Sequence, residues 1–105
     1  MKAVLDACVL FPTVLREILL GVAGKGLYEP LWSDRILREW VLATAILGPL
    51  AQVQAEGDAT LLRTAFPRAC LRDRPEIEAR LLLPAPNDVH VLAVAIAGHA
   101  AAIIT

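Results

Sequence analysis

The chain has 105 residues, of which 57% are hydrophobic and 20% are charged, and its formal net charge at pH 7 is −1. This composition excludes a disordered chain, because its apolar content suffices for a core, and the length suits one small domain over residues 1–105. The near-neutral charge argues neither for nor against nucleic-acid binding. The longest nearly uncharged stretch, residues 89–105, is shorter than the roughly 20 residues that span a bilayer. We therefore expect a cytoplasmic protein without a membrane segment.

The first quarter of the chain predicts a strand, a helix and a second extended segment. Residues 2–6 form the strand, and their continuous apolar run is typical of a strand buried on both faces. Pro12 suits the first turn of a helix whose apolar residues recur at helical spacing up to position 22. Residues 27–32 are extended, and Pro30 restricts them to the edge of a sheet.

The middle of the chain predicts further helices. Ser33 is a favourable N-cap for a helix that runs to about Leu47 and ends at a Gly-Pro pair. Residues 50–57 fit either a helix or a loop. Asp58 fits the cap of a short helix that Pro67 closes.

A cluster of arginines marks the region between positions 63 and 80. Its pattern is typical of a solvated face, and a patch that contacts phosphates is the alternative. The residues concerned are Arg63, Arg68, Arg72, Arg74 and Arg80.

The last quarter predicts a helix and a final strand. An apolar run at residues 81–83 ends at a Pro-Ala-Pro segment. Asn87 or Asp88 then caps a helix that runs to about Gly98, and residues 99–105 fit a helix end, a turn and a buried strand. Strands that alternate with helices predict an α/β fold, with helices on both faces of a central, mostly parallel sheet in a three-layer α/β/α arrangement.

Three carboxylates occupy similar apolar settings, and they are Asp6, Glu39 and Asp88. Asp6 is predicted at the carboxyl end of a strand, where ligands bind in open α/β sheets. If the three converge, their mutual repulsion predicts a bound divalent cation, and oxygen ligands favour Mg²⁺ or Mn²⁺ over zinc. Such a site suits phosphodiester hydrolysis.

Each acid also has a simpler interpretation. Asp6 fits a turn residue, and Asp88 fits an N-cap without further function. Glu39 fits a solvated residue or an ion pair with Arg35 or Arg38. The conjunction of the three is a stronger signal than any one of them.

The segments around these acids resemble the PIN domain family, metal-dependent nucleases that include the toxins of many bacterial toxin–antitoxin pairs. Residues 4–10, VLDACVL, resemble the opening strand and acid of the family. Residues 33–40, SDRILREW, resemble its second motif, and residues 84–93, PAPNDVHVLA, resemble its third. Residues 100–105 resemble the strand that follows.

The resemblance implies that Asp6, Glu39 and Asp88 are catalytic ligands of Mg²⁺ or Mn²⁺, with Asn87 as a secondary residue. It implies an endoribonuclease and toxin whose partners are an RNA substrate, a cognate antitoxin and a second copy of the chain in a homodimer. Members of the family continue past the last strand with a further acid and a closing segment. We therefore expect a C-terminally incomplete PIN-like domain that lacks its last strand and helix, with weakened catalysis.

Two other functions stay open. The same fold could be a catalytically weak or inactive module for protein–protein interaction or dimerisation, and the mean hydropathy of +0.59 favours apolar surface for a partner. A response-regulator-like receiver domain is disfavoured, because the chain has no lysine after position 25.

Several other residues are weaker candidates for function. His90 and His99 are weak candidates for a general base, and the two tryptophans fit packing better than base stacking. Cys8 and Cys70 show neither disulfide nor zinc spacing and are predicted to be small apolar filling residues in a reducing compartment.

Overall fold

The computed structural model describes residues 1–81 and 86–105 and contains one sheet of parallel strands flanked by helices. The strands are β1 (Lys2–Leu5), β2 (Glu29–Ser33), β3 (Cys70–Leu71) and β4 (Ala102–Ile104). The helices are α1 (Ala7–Leu10), α2 (Thr13–Gly24), α3 (Asp34–Ala43), α4 (Pro49–Ala65), α5 (Pro75–Glu78) and α6 (Val89–Ala97). Two 3₁₀ turns span Thr44–Leu47 and Pro86–Asp88.

The strand order is β3-β2-β1-β4, and every neighbouring pair is parallel. The predicted α/β class is therefore confirmed, and the sheet with its helices is compatible with the predicted three-layer arrangement. No described helix is both long and apolar enough to cross a bilayer.

Strand β1 lies at the centre of the sheet. Its residues Ala3, Val4 and Leu5 are fully buried, as the continuous apolar run predicts. Both of its backbone edges are used, because β2 pairs with one side and β4 with the other. The residue that follows β1 is therefore held at the carboxyl edge of the sheet.

The prediction that Pro30 restricts its segment to a sheet edge is wrong, since β2 lies between β1 and β3. Glu29 N donates to Met1 O on the β1 side, and Trp32 N donates to Ala69 O on the β3 side. Successive residues of a strand alternate sides, so the nitrogen of Pro30 faces the β3 side. There β3 begins only opposite Trp32, so Pro30 removes no donor that the ladder needs.

Helix α3 begins as predicted and ends slightly earlier. The Ser33 hydroxyl accepts a hydrogen bond from Ile36 N at 3.1 Å and caps the helix. The α-helix ends at Ala43, and the next four residues form a 3₁₀ turn. Gly48 follows with a φ of 111°, a conformation that glycine adopts without steric cost.

The prediction of a short helix capped by Asp58 is wrong, because α4 is one helix of 17 residues. Pro49 starts it, at a position where its missing N–H is not needed. Asp58 lies in mid-helix, and its carboxylate is 3.6 Å from the Arg16 guanidinium. The helix continues through this point because it buries Ala55, Ala59 and Leu62 along one side.

The core combines side chains of β1 and β2 with side chains of α1, α3, α4 and α6. The largest of them, Trp32 and Trp40, are almost fully buried, which confirms packing and excludes base stacking for both. Helix α2 occupies its predicted place, but most of its apolar stripe is exposed, with Ile18 57% accessible.

The arginine-rich region contains the end of α4, the short strand β3, helix α5 and the irregular segments between them. Arg63 pairs with Asp34 at 3.1 Å, and Arg74 pairs with Glu76. Three other arginines of this region are exposed, and they are Arg68, Arg72 and Arg80. These features fit the solvated face, and the phosphate patch stays a prediction. The predicted apolar run and Pro-Ala-Pro segment fall largely outside the described residues.

The final strand differs from its prediction in burial. In β4, Ala102 is exposed and Ile103 and Ile104 are half-buried, so the strand is not a buried one. The reason is its position, since β4 has a described partner on only one side, β1.

Replacing Ser33 by alanine tests the cap of α3. Ser33→Ala leaves the buried Ile36 N–H without its acceptor, so we expect the free energy of unfolding to fall by about 1–2 kcal/mol. Urea denaturation followed by circular dichroism measures this change.

The matched control is Thr64→Ala. Its hydroxyl donates to Thr60 O on the exposed side of α4, so its loss should change stability by less than about 0.5 kcal/mol. Equal effects of the two substitutions would show that the Ser33 cap is not specifically stabilising.

Candidate functional site

Asp6 directly follows β1 and is half-buried at the carboxyl edge of the sheet. Its backbone N donates to Ile104 O at 3.0 Å, which extends the pairing of β1 with β4. Its Oδ1 accepts from Ala7 N at 2.7 Å and caps α1, so Asp6 does act as a turn and cap residue. Its Oδ2 accepts from the Thr105 hydroxyl at 3.0 Å.

Two neighbours of Asp6 are not predicted from the sequence. One is Thr105, which follows β4, and the other is Cys8, whose Sγ lies 3.3 Å from Thr105 Oγ1. Cys8 is exposed, so its prediction as a filling residue is wrong. Thr105 could have been predicted from the parallel pairing of the first and last strands, because the carboxyl ends of parallel strands lie at the same edge.

Glu39 lies on α3 and contacts a histidine of α6 rather than an arginine. Its Oε1 is 2.6 Å from His90 Nε2, and its side chain is 43% exposed while that of His90 is 1% exposed. The contact has the distance of an ion pair but not the geometry of a hydrogen bond. Arg35 instead pairs with Glu78 at 3.4 Å, so an arginine pair for Glu39 is absent from the described contacts.

Asp88 and Asn87 lie in the 3₁₀ turn that precedes α6, and both side chains are exposed. Asp88 holds the N-cap position of α6, as predicted, but its side chain makes no capping hydrogen bond. Its carboxylate is therefore at a helix N-terminus, a favourable position for a negative charge, without a backbone donor.

The topology brings Asp6 and Asp88 to the same edge of the sheet, and Glu39 contacts the helix that follows Asp88. Ala101 N donates to Lys2 O at 2.8 Å, which fixes the connection between α6 and β4 at the amino edge. Helix α6 therefore begins at the carboxyl edge, where Asp6 lies. Helix α3 also starts there, at the end of β2, and packs against α1. Glu39 joins this region through its contact with His90.

The described part of the chain shows no preformed metal site. Within residues 1–81 and 86–105, no group of three or more His, Cys, Asp or Glu side chains is positioned to hold a metal ion. The donor chemistry still fits a hard divalent cation, because all three candidates are carboxylates. The ligand set of Asp6, Glu39 and Asp88 stays a prediction.

Ion pairs with arginine distinguish some acids of the described chain from the candidates, although Glu17, Glu29, Glu56 and Asp73 also form no described pair. Four acids are paired with arginines within the described chain: Asp34 with Arg63, Asp58 with Arg16, Glu76 with Arg74 and Glu78 with Arg35. No such pair involves Asp6, Glu39 or Asp88. No described lysine or arginine offsets the negative charge of these three acids, and Glu39 faces His90 instead.

The second histidine lies away from this region. His99 is exposed, has a φ of 54°, and belongs to the connection at the amino edge of the sheet. This position does not support it as a general base for chemistry at the opposite edge.

Alkylation of the two cysteines tests the exposure of Cys8 and the environment of Cys70. Burial, followed by the Asp34 carboxylate, raises the pKa of Cys70 to about 11. At pH 7.5 roughly 0.03% of such a thiol is thiolate, the reactive form, so its reaction is suppressed and recovers only as the pH approaches 11. We expect iodoacetamide at pH 7.5 to modify the exposed Cys8 and spare Cys70, as measured by peptide mass spectrometry.

The control is Cys8→Ser, which should abolish labelling of the native protein at pH 7.5. Equal labelling of both cysteines in the native wild type would contradict the environment described for Cys70.

Comparison with known proteins assigns no family or function to the chain. No family model matches the chain, and no curated protein and no solved structure matches it either.

Proposed function

We propose that the chain is a PIN-type endoribonuclease that hydrolyses RNA phosphodiester bonds with Mg²⁺ or Mn²⁺. The observation that supports this best is the position of Asp6 at the carboxyl edge of the central strand. Asp88 precedes helix α6, which begins at that edge, and Glu39 of α3 contacts His90 in the first turn of α6. The order of the three acids along the chain agrees with the family resemblance.

The residues have separate tasks in this proposal. Asp6, Glu39 and Asp88 would hold the cation, with the Asn87 carbonyl as a secondary ligand. When bound, the cation polarises a phosphoryl oxygen and lowers the pKa of a coordinated water. Donors orient the carboxylate of Asp6, and His90 contacts that of Glu39. Because the described carboxylates form no ready cluster, we expect weak binding of the cation, with water completing its coordination.

The biological setting is part of the same proposal. By its resemblance the chain is a cytoplasmic toxin, with RNA as substrate and a cognate antitoxin and a second copy as protein partners. Arg72 follows β3 directly and is exposed, so it lies at the carboxyl edge that also holds Asp6. It is the arginine of the predicted phosphate patch that is best placed to contact an RNA backbone.

A non-catalytic interaction module is the second candidate function. A specific observation favours it, namely a set of large apolar side chains that are more than half exposed on α2 and around the start of α4. They are Val14, Ile18, Ile46, Leu47, Leu50 and Val53.

Two charge-neutralising substitutions test the proposed enzyme. Asp6→Asn and Asp88→Asn each remove one anionic ligand while they keep the size of the side chain. We expect either to reduce Mg²⁺-dependent cleavage of RNA by at least about 100-fold, since even partners outside the ligand shell change activity or affinity by about 10- to 100-fold. Gel-resolved cleavage and Mn²⁺ calorimetry measure the two effects.

The matched control is Asp73→Asn, at an exposed acid that follows β3 and is not a predicted ligand. It should leave cleavage and Mn²⁺ affinity unchanged. Unaltered cleavage by the Asp6 and Asp88 variants would refute the ligand assignment. No heat of binding from the wild type at millimolar Mn²⁺ would favour the interaction module instead.

A further inference from the structure

We infer that His90 is a positioning residue that fixes the side chain of Glu39 for the proposed cation site. The inference rests on the proposed function for its chemical consequence. It depends on one described contact, between His90 Nε2 on α6 and Glu39 Oε1 on α3, at 2.6 Å.

Burial indicates which of the two side chains in this contact is held in place. The His90 ring is 1% exposed, whereas the Glu39 side chain is 43% exposed. Val91 and Val94, which follow His90 on α6, are also buried. The imidazole is therefore the fixed partner, held by the core, and the carboxylate is the partner whose position is selected.

Burial also explains why the contact is specific. A buried polar ring is costly unless a polar group lies against it. Neither ring nitrogen has a hydrogen-bond partner within the described residues, and the Glu39 carboxylate is the one described acid within ion-pair distance. The polar group that lies against the buried His90 ring is therefore the Glu39 carboxylate.

No described arginine provides an alternative anchor for Glu39. Arg35, one turn earlier on α3, pairs with Glu78. Arg38 is exposed and forms no ion pair with a described residue. Without His90, the half-exposed glutamate would sample several rotamers, and ordering it on binding a ligand would cost conformational entropy.

The chemical consequence is preorganisation of one ligand. Carboxylates that bind metal ions are oriented by partners outside the ligand shell, and loss of such a partner weakens affinity or activity by about 10- to 100-fold. His90 engages Oε1, which leaves Oε2 as the oxygen of Glu39 for a cation.

Three variants separate positioning from simple packing. His90→Leu fills the space but has no polar atom, whereas His90→Gln keeps an amide donor at about the reach of Nε2. Val94→Ala is the matched control, because it makes a cavity in the same helix at a fully buried residue that is not part of the Glu39 contact. All binding measurements are made well below the midpoint of thermal unfolding of the least stable variant.

The first readout is the order parameter of the Glu39 side chain from NMR relaxation, which needs no metal. We expect it to fall in His90→Leu, to recover in His90→Gln and to stay unchanged in Val94→Ala. An unchanged order parameter in His90→Leu, or an equal fall in Val94→Ala, would overturn the positioning role.

The second readout is Mn²⁺ affinity by calorimetry. We expect His90→Leu to weaken it about 10-fold and His90→Gln to restore most of the loss. If His90→Leu binds Mn²⁺ as tightly as the wild type does, the inference that His90 preorganises Glu39 for a cation is overturned. A wild type that binds no Mn²⁺ contradicts the proposed enzyme and that consequence, while the order parameter still decides whether His90 fixes Glu39.

Discussion

The burial of β1 between two parallel neighbours is the constraint on which the rest of the structure depends. Residues Ala3–Leu5 are inaccessible to solvent, and both backbone edges of the strand are paired. The buried run ends at Asp6, a half-buried polar residue whose side chain caps α1. The pairing with β4 continues to Asp6 N, and this register brings Thr105 to the Asp6 carboxylate.

Local patterns predict the elements whose formation depends on local chemistry. The apolar run of β1 and the Ser33 cap are visible in the sequence, and both occur where they are predicted. Pro30 and Asp58 mislead because their roles are decided by distant residues. The prolyl nitrogen is tolerated because β3 starts two residues too late to need it, and Asp58 faces Arg16 instead of starting a helix. Neither partner can be identified from the neighbouring sequence.

The candidate site also has one part that the sequence predicts and one part that it does not. The acids can be selected by residue type and apolar context, and the topology does bring Asp6 and the start of α6 to one edge. The residues that contact these acids cannot be identified from the sequence, because Thr105 and His90 lie far from Asp6 and Glu39 along the chain. A local sequence pattern also does not predict the distances between the carboxylates. In the structure, the described residues form no three-ligand cluster.

The partners of the acids differ in kind, and this difference bears on function. Asp34 and Asp58 face arginines, whose full positive charge offsets their own. Asp6 accepts hydrogen bonds from a backbone N–H and a hydroxyl, which are dipoles and not ions. Dipoles fix the direction of a carboxylate but leave its net charge in place, so a divalent cation would still be strongly attracted. Asp6 is thus a carboxylate that is oriented but not neutralised, on the edge where α/β sheets bind ligands, and the proposed cation site depends on this feature.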